Sequence, residues 1–384
     1  MSEPTASPPG GQATLATVAR EWTQIGVTGF GGPPAHIALL RKLVVDRERW
    51  IAARDFEDAN AACSLLPGPA STQLAIFCAY RIAGPLGAIV GGLGFIVPAV
   101  TIIIPLSALF LADTPPVWVR GAGAGAGAAV AAVAVQAACG LLGPSFHRVA
   151  EDRPRRIRWF CYLAAGTAAA ALIGRYLVLV LLACGLSELL IRRRLSAALL
   201  APPPVSVGGF GALAWTAFKV GALSFGGGFV IIPLMQTDAV HSYHWMSNAQ
   251  FLNAVALGQI TPGPVVATVA AVGYGAHGLA GALLAAAVAF LPSFTFILLG
   301  GRRFQRLRED RGPRAFLDGA GPAAIGAILG AAITLAAALR DGWQFAVLCA
   351  AAIALLLLRR GTVQTLLAAA AVGVIAALAG APLP

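Results

Sequence analysis

The sequence predicts an all-α polytopic membrane protein of two inverted-topology repeats, about 10 crossing helices plus two re-entrant Pro-Gly-Pro hairpins. Three observations predict it: long apolar runs, an internal duplication and the placement of the basic residues. Hydrophobic residues make up 58% of the 384 and charged residues 11%, with a mean hydropathy of +0.79. An ordinary soluble domain carries about 25% charged residues. Ala59–Tyr80, Ile82–Ala112, Ala239–Gly301 and Gly361–Pro384 contain no Asp, Glu, Lys or Arg. A crossing helix needs about 20 apolar residues, and several of these runs exceed that.

The duplication is read directly. Gly26-Val-Thr-Gly-Phe-Gly-Gly32 returns as Gly221-Ala-Leu-Ser-Phe-Gly-Gly227, and the same shift of 195 takes Trp50 to Trp245 and Phe56 to Phe251. It also takes Pro67-Gly68-Pro69 to Pro262-Gly263-Pro264. After a one-residue slip, Gly84, Gly87 and Pro98 match Gly278, Gly281 and Pro292. Both preserved motifs are helix-breaking clusters inside apolar segments. Paired interruptions at corresponding places in two halves point to the binding site of a secondary transporter.

In chain order, residues 1–11 hold no Lys or Arg and read as a disordered tail rather than a signal peptide. The first repeat, 12–195, has apolar segments near 12–32, 57–80, 84–112, 117–146, 159–174 and 176–191. A linker, 196–208, contains Ala201-Pro-Pro-Pro204. The second repeat, 209–384, has segments near 209–235, 251–276, 278–300, 315–339, 343–358 and 361–380. Gly121-Ala-Gly-Ala-Gly-Ala-Gly-Ala128 reads as a stripe for tight helix packing.

The net charge of +11 does not indicate nucleic acid, because the basic residues sit in short loops between apolar runs. If every segment crosses, the Arg41–Arg54 and Arg148–Arg158 clusters fall on opposite faces. If instead each Pro-Gly-Pro segment dips and returns, each half has five crossings and the second half is inverted. Then 22 of the 27 Lys and Arg lie on one face, which the positive-inside rule selects. That arrangement predicts a cytoplasmic loop at 302–314 and an external loop at 236–250.

Proline removes a backbone donor and clashes with the preceding turn. Broken backbone at membrane depth survives only where it is buried in protein or lines a wet cavity. The Pro67–Pro69 and Pro262–Pro264 clusters therefore read as tips of two half-helix hairpins meeting near the midplane. The helices that follow present free N–H groups and a positive dipole end, which favours an anion. Phe30, Gly31 and Gly32, with Ser224, Phe225, Gly226, Gly227 and Gly228, form a second pair of loosened segments. Pro67, Gly68, Pro69, Thr261, Pro262, Gly263 and Pro264 complete the candidate substrate-binding set.

Lys219 joins that set as an intramembrane cation, since such residues are expensive and usually functional. Arg20, Glu21, Asn60, Arg81 and Gln259 are accessory candidates; Ser64, Thr72, Gln73, Thr261 and Thr268 flank the tips as hydrogen-bond donors. Arg20 and Glu21 also fit a plain interfacial position. His241 and His244 fall in the predicted external loop. Six scattered cysteines without C-x-x-C spacing read as small buried residues, giving no disulfide framework, metal site or cofactor. No pair of acids and no nucleophile–base arrangement suggests catalysis.

Gly29-Phe-Gly-Gly-Pro33 with Leu66-Pro-Gly-Pro69, repeated as Ser224-Phe-Gly-Gly-Gly228 with Thr261-Pro-Gly-Pro264, resembles the chromate ion transporter family in its two-domain form. The resemblance covers nearly the whole chain and is strongest over 20–110 and 215–300. It implies a bacterial inner-membrane exporter of chromate that confers resistance and also handles sulfate, a similar tetrahedral dianion. Gly228 stands where the first half has Pro33, which predicts an asymmetric site. The expected partners are an inorganic oxyanion and the lipid bilayer, with a homodimer as an open option and no nucleic acid. Two other readings remain: a transporter of another solute, such as a different anion or an amino acid, and a membrane-embedded enzyme acting on lipid phosphate.

Overall fold

The computed structural model describes residues 13–64, 66, 68–112, 114–193, 209–224, 230–300 and 311–383. All regular structure among them is helical. The first half contains α1 (Leu15–Thr28), α2 (Pro33–Arg41), α3 (Ala53–Cys63), α4 (Ala70–Phe110), α5 (Val117–His147), α6 (Arg153–Ala168) and α7 (Leu177–Arg193). The second contains α8 (Gly209–Leu223), α9 (Ile231–Gln236), α10 (Asn248–Ile260), α11 (Thr268–Gly300), α12 (Arg311–Ala337), α13 (Gly342–Ala352) and α14 (Thr362–Leu378). The tail 1–11, the linker 196–208, Pro67, Phe225–Gly228 and residues 302–310 lie outside the described residues.

The repeat extends to its irregularities. A π-helical turn prolongs α2 over Lys42–Arg47 and α9 over Thr237–Ser242, again 195 positions apart. Arg49 and His244, at that same shift, both adopt a left-handed backbone, φ 53° and 52°. Further π turns end α6 at Ala169–Ile173 and α13 at Ile353–Leu357. The expected 236–250 loop is therefore shorter than predicted. The chain stays helical to Ser242 and re-enters a helix at Asn248, where Ser247 and Gln250 form a capping box.

Long apolar segments fold back on themselves. In α4, Ala83 and Gly84 leave helical geometry, Gly84 at φ 67°. Beyond them the chain reverses, and a Cβ on Gly91 would lie 2.5 Å from the Ala79 Cβ. Along a straight helix those residues would stand about 18 Å apart. Residues 70–82 are thus a return arm about 20 Å long, about two-thirds of a bilayer core, and residues 85–110 a spanning arm of about 39 Å. The second half repeats this at His277 and Gly278, where a Cβ on Gly273 would lie 2.4 Å from the Gly281 carbonyl. The re-entrant Pro-Gly-Pro hairpins are α3 with residues 70–82, and α10 with the first arm of α11.

α1 and α2 also reverse. α1 has 14 residues, short of a crossing, and Arg47 at the end of the π turn ion-pairs with Glu21. A straight continuation would hold those two about 39 Å apart. The segment at 12–32 is therefore one arm of a hairpin whose tip is Gly29–Gly32.

The first segment is thus not one of the five crossings expected, and the opposite sense of the two halves is read instead from their fifth helices. Arg120 and Gly123, at the start of α5, share a cavity with Ala338 and Leu339, just past the end of α12. Arg148, following α5, lies 4.0 Å from Asp318 in the first turns of α12. These are the fifth helices of the two repeats, and they are antiparallel. Each packs on the last helices of the other half: α5 on α13 and α14, α12 on α6 and α7. Small residues allow the approach. A Cβ on Gly125 would sit 2.1 Å from the Ala369 carbonyl, and one on Gly121 2.5 Å from that of Gly373. The glycine-alanine stripe is a packing surface.

Arg148, Arg158 and Arg192 collect at one end around Glu188 and Asp318. Arg120 and the Arg340 backbone lie at the other end, around Gln344. Four helices, residues 70–110, 117–147, 265–300 and 314–337, are long and apolar enough to cross a membrane. This is a multi-pass membrane protein. Its cysteines correct one expectation: Cys63, Cys78 and Cys184 are buried, but Cys139, Cys161 and Cys349 are exposed. Small apolar thiols carry little penalty on a face turned to lipid, so burial does not follow from an apolar segment alone.

Candidate functional site

Each Pro-Gly-Pro tip lodges against the other half. Gly263, at φ 93°, donates its N–H to the Gly29 carbonyl at 3.0 Å. A Cβ there would lie 2.8 Å from the Ala99 Cβ and 3.4 Å from the Gly26 carbonyl. Gly68, at φ 115°, has similar surroundings: a Cβ there would lie 2.7 Å from Gln73 Nε2, 3.0 Å from the Gly221 carbonyl and 3.6 Å from the Ser293 hydroxyl. Gly26 and Gly221 are repeat equivalents, as are Ala99 and Ser293. The Gly263 tip is brought together with the Gly29–Gly32 loop and the Gly68 tip with Gly221 and Ser293, and glycine is required at both by backbone sign and by space.

Helices begin just past both tips. α4 starts at Ala70, and a short 3₁₀ turn, Val265–Ala267, leads into α11. Their first N–H groups have no partner within the helix. Thr261 and Thr268 spend their hydroxyls locally, on the Leu257 and Val265 carbonyls. Other polar groups do not. The hydroxyls of Thr72, Ser224 and Ser293 are buried with no hydrogen-bond partner among the described residues, as are Asn60 Oδ1 and Gln259 Nε2. Buried polar atoms are nearly always paired, so this collection calls for an explanation. Ser293 follows the repeated Pro292 directly, and that adjacency was the signal available in the sequence.

His36 is a second residue that pattern reading missed. It is fully buried, donates Nε2–H to the Gly29 carbonyl at 2.9 Å, and stacks edge-on to Phe95 at 5.0 Å. Its Nδ1 stands 3.5 Å from the Ser71 hydroxyl. It therefore ties the Gly29–Gly32 loop to the first turn of α4. An ionisable residue in an apolar helix was the signal to follow.

The charged candidates sit differently from expectation. Lys219 is not a bare cation: its Nζ lies 2.5 Å from Asp238 Oδ2, which also accepts from Thr216 at 2.6 Å. Asp238 had been placed at the edge of an external loop, but it is buried in the π turn after α9. Glu21 is buried and held by Arg47 and Arg20; the Arg20 side chain is 78% exposed and away from the tips. Arg81 pairs with Asp55 at 3.7 Å on the exposed rim. Phe30 is half exposed. No group of three His, Cys, Asp or Glu that could hold a metal ion occurs among the described residues.

The comparisons agree with the motifs. The family described as "Chromate transporter" matches residues 16–189 and again 211–380. A chromate transport protein of Cupriavidus metallidurans is 32% identical over 341 residues, covering 84% of this chain and 83% of that protein. One from Pseudomonas aeruginosa is 32% identical over 340 residues, covering 82% and 79%. A probable chromate transport protein of Synechococcus elongatus is 27% identical over 341 residues, covering 84% of each. No solved structure matches the chain.

Proposed function

The chain belongs to the chromate transporter family, and on that premise we propose that it exports chromate across the bacterial inner membrane, conferring chromate resistance and handling sulfate by the same site. The observation that carries this reading is the set of buried hydroxyls without a partner among the described residues: Thr72 in the first turn after the first Pro-Gly-Pro tip, Ser293 beside Gly68 of that tip, and Ser224 at the start of the second glycine cluster. Hydroxyl and backbone N–H donors at helix starts suit a tetrahedral dianion without a fixed counter-charge. Lys219, bound to Asp238, contributes structure more than charge.

The two halves, 12–195 and 209–384, act as inverted repeat domains that hold the anion between them. A membrane potential, negative inside, favours expulsion of a dianion by about 4.6 kcal/mol per 100 mV, so export needs no coupling ion in principle. Membership of a transporter family supports reading the protein as a transporter rather than an enzyme. The test is oxyanion flux in reconstituted vesicles. Saturable chromate uptake into inside-out vesicles, competed by sulfate, is expected; no flux of any oxyanion would overturn the reading.

A further inference from the structure

Equivalent surfaces of the two halves are packed differently. At a shift of 198, Arg120-Gly-Ala-Gly123 near the start of α5 matches Asp318-Gly-Ala-Gly321 near the start of α12, the fifth helix of each half. Gly123 is covered by α10, since a Cβ there would meet Asn253 Oδ1 at 2.7 Å; one on Gly127 would meet the Leu252 Cβ at 3.1 Å. At Gly321 nothing lies within 4 Å. Instead a cavity of about 620 Å³ separates α3 from α12, lined by Ala61 and Ser64 on one side and Gly321 on the other.

The tips show the same difference. Ser64, just before Pro67, is exposed, whereas its repeat equivalent Gln259 is buried. The cavity at the opposite end, about 470 Å³, stops at Leu252 and Asn253. That is about 13 Å of helix short of Pro262. One cavity reaches its tip and the other is blocked by α10 lying on α5.

The open cavity is basic. Arg148, Arg192 and Arg314 line it together with Asp318. Arg192 holds Asp318 at 2.7 Å, and Arg148 lies 4.0 Å from it. With Glu188, which Arg192 and Arg158 both hold, four guanidinium groups face two carboxylates, so this end carries net positive charge, which concentrates anions at the mouth.

Resting on the oxyanion-transport reading, we propose that this cavity is a cytoplasmic collecting site for divalent tetrahedral oxyanions, leading past Ser64 to the first Pro-Gly-Pro tip. The structure is then the inward-open state. Because the repeats are inverted, exchanging their two packings gives the outward-open state: α3 closes on α12 at Gly321 while α10 leaves α5 at Gly123.

The test uses the full chain with its native cysteines replaced, in membrane vesicles of either orientation. Ser64→Cys should react with a membrane-impermeant maleimide from the cytoplasmic face, and Gln259→Cys should stay unreactive from the external face. Equal labelling of the two, or none at Ser64→Cys, overturns the inward-open assignment. Arg314→Gln should raise the half-saturating oxyanion concentration about threefold and flatten its dependence on ionic strength, with labelling unchanged. Unaltered kinetics in Arg314→Gln would remove the collecting role. Labelling does not depend on flux: normal flux with a silent Ser64→Cys sinks the vestibule alone. If the wild type moves no oxyanion, the transport reading falls and this proposal with it.

Discussion

Lys219 and Asp238 form an ion pair within the second half, Nζ to Oδ2 at 2.5 Å, that joins α8 to the π turn after α9. The first half makes the same join with the signs exchanged: Glu21 on α1 and Arg47 on the π turn after α2. Glu21 and Thr216 are repeat equivalents, and Thr216 donates to Asp238. Both pairs tie the first helix of a half to the π turn that follows its second helix, so charge is used here to hold these helices together rather than to face a substrate.

Lys219→Met is therefore expected to strand a buried carboxylate. Breaking one partner of a buried pair costs about 3–5 kcal/mol, whereas replacing both is often neutral. Lys219→Met should lower the yield of folded protein, and adding Asp238→Asn should restore it. Thermal unfolding in detergent measures this; a single variant as stable as wild type would show the pair to be incidental.

The duplication, the broken segments and the opposed halves were legible because glycine and proline mark backbone geometry directly. Gly68 and Gly263 stand where positive φ and a close backbone leave no room for a Cβ. The hairpin of α1 and α2 was not legible, since an apolar stretch interrupted by Gly29–Gly32 is equally compatible with a bent crossing helix. What decides it is the long-range pairing of Glu21 with Arg47. Asp238, His36 and Ser293 were missed for a related reason: each lies next to a recognised motif, but its role depends on an element distant in sequence.

Ser293 offers the cleanest probe of the site. Its hydroxyl has no protein partner among the described residues, so Ser293→Ala removes no internal hydrogen bond and should leave folding stability unchanged. If that hydroxyl donates to the anion, the half-saturating concentration should rise about tenfold, equivalent to about 1.4 kcal/mol. Wild-type kinetics in Ser293→Ala would take it out of the site.

Arg49 and His244 test the inversion. They are repeat equivalents, both exposed and both left-handed, so a cysteine enters the same local structure at each. With the Arg-rich end facing the cytoplasm, Arg49→Cys should label in inside-out vesicles and His244→Cys in right-side-out ones. Labelling of both from one side would mean that the halves are parallel.

The tips themselves supply the last expectation. Gly263→Leu must place a side chain on a residue at φ 93°, with its Cβ 2.8 Å from Ala99 and its own N–H bonded to Gly29. A non-glycine residue held at such a backbone costs on the order of 1–3 kcal/mol before any clash. The tip can relieve this only by backing away from α1 and the spanning arm of α4, which opens its contact with Gly29. Transport should be lost while the protein still inserts, because the nearest neighbours of Gly263 belong to α1 and α4 and not to α5 or α12, which pack the two halves together. Gly68→Leu, facing Gly221 and Ser293, should behave alike. Chromate flux measured beside membrane abundance separates the outcomes: full flux in Gly263→Leu would reduce the Pro-Gly-Pro tip to a packing device.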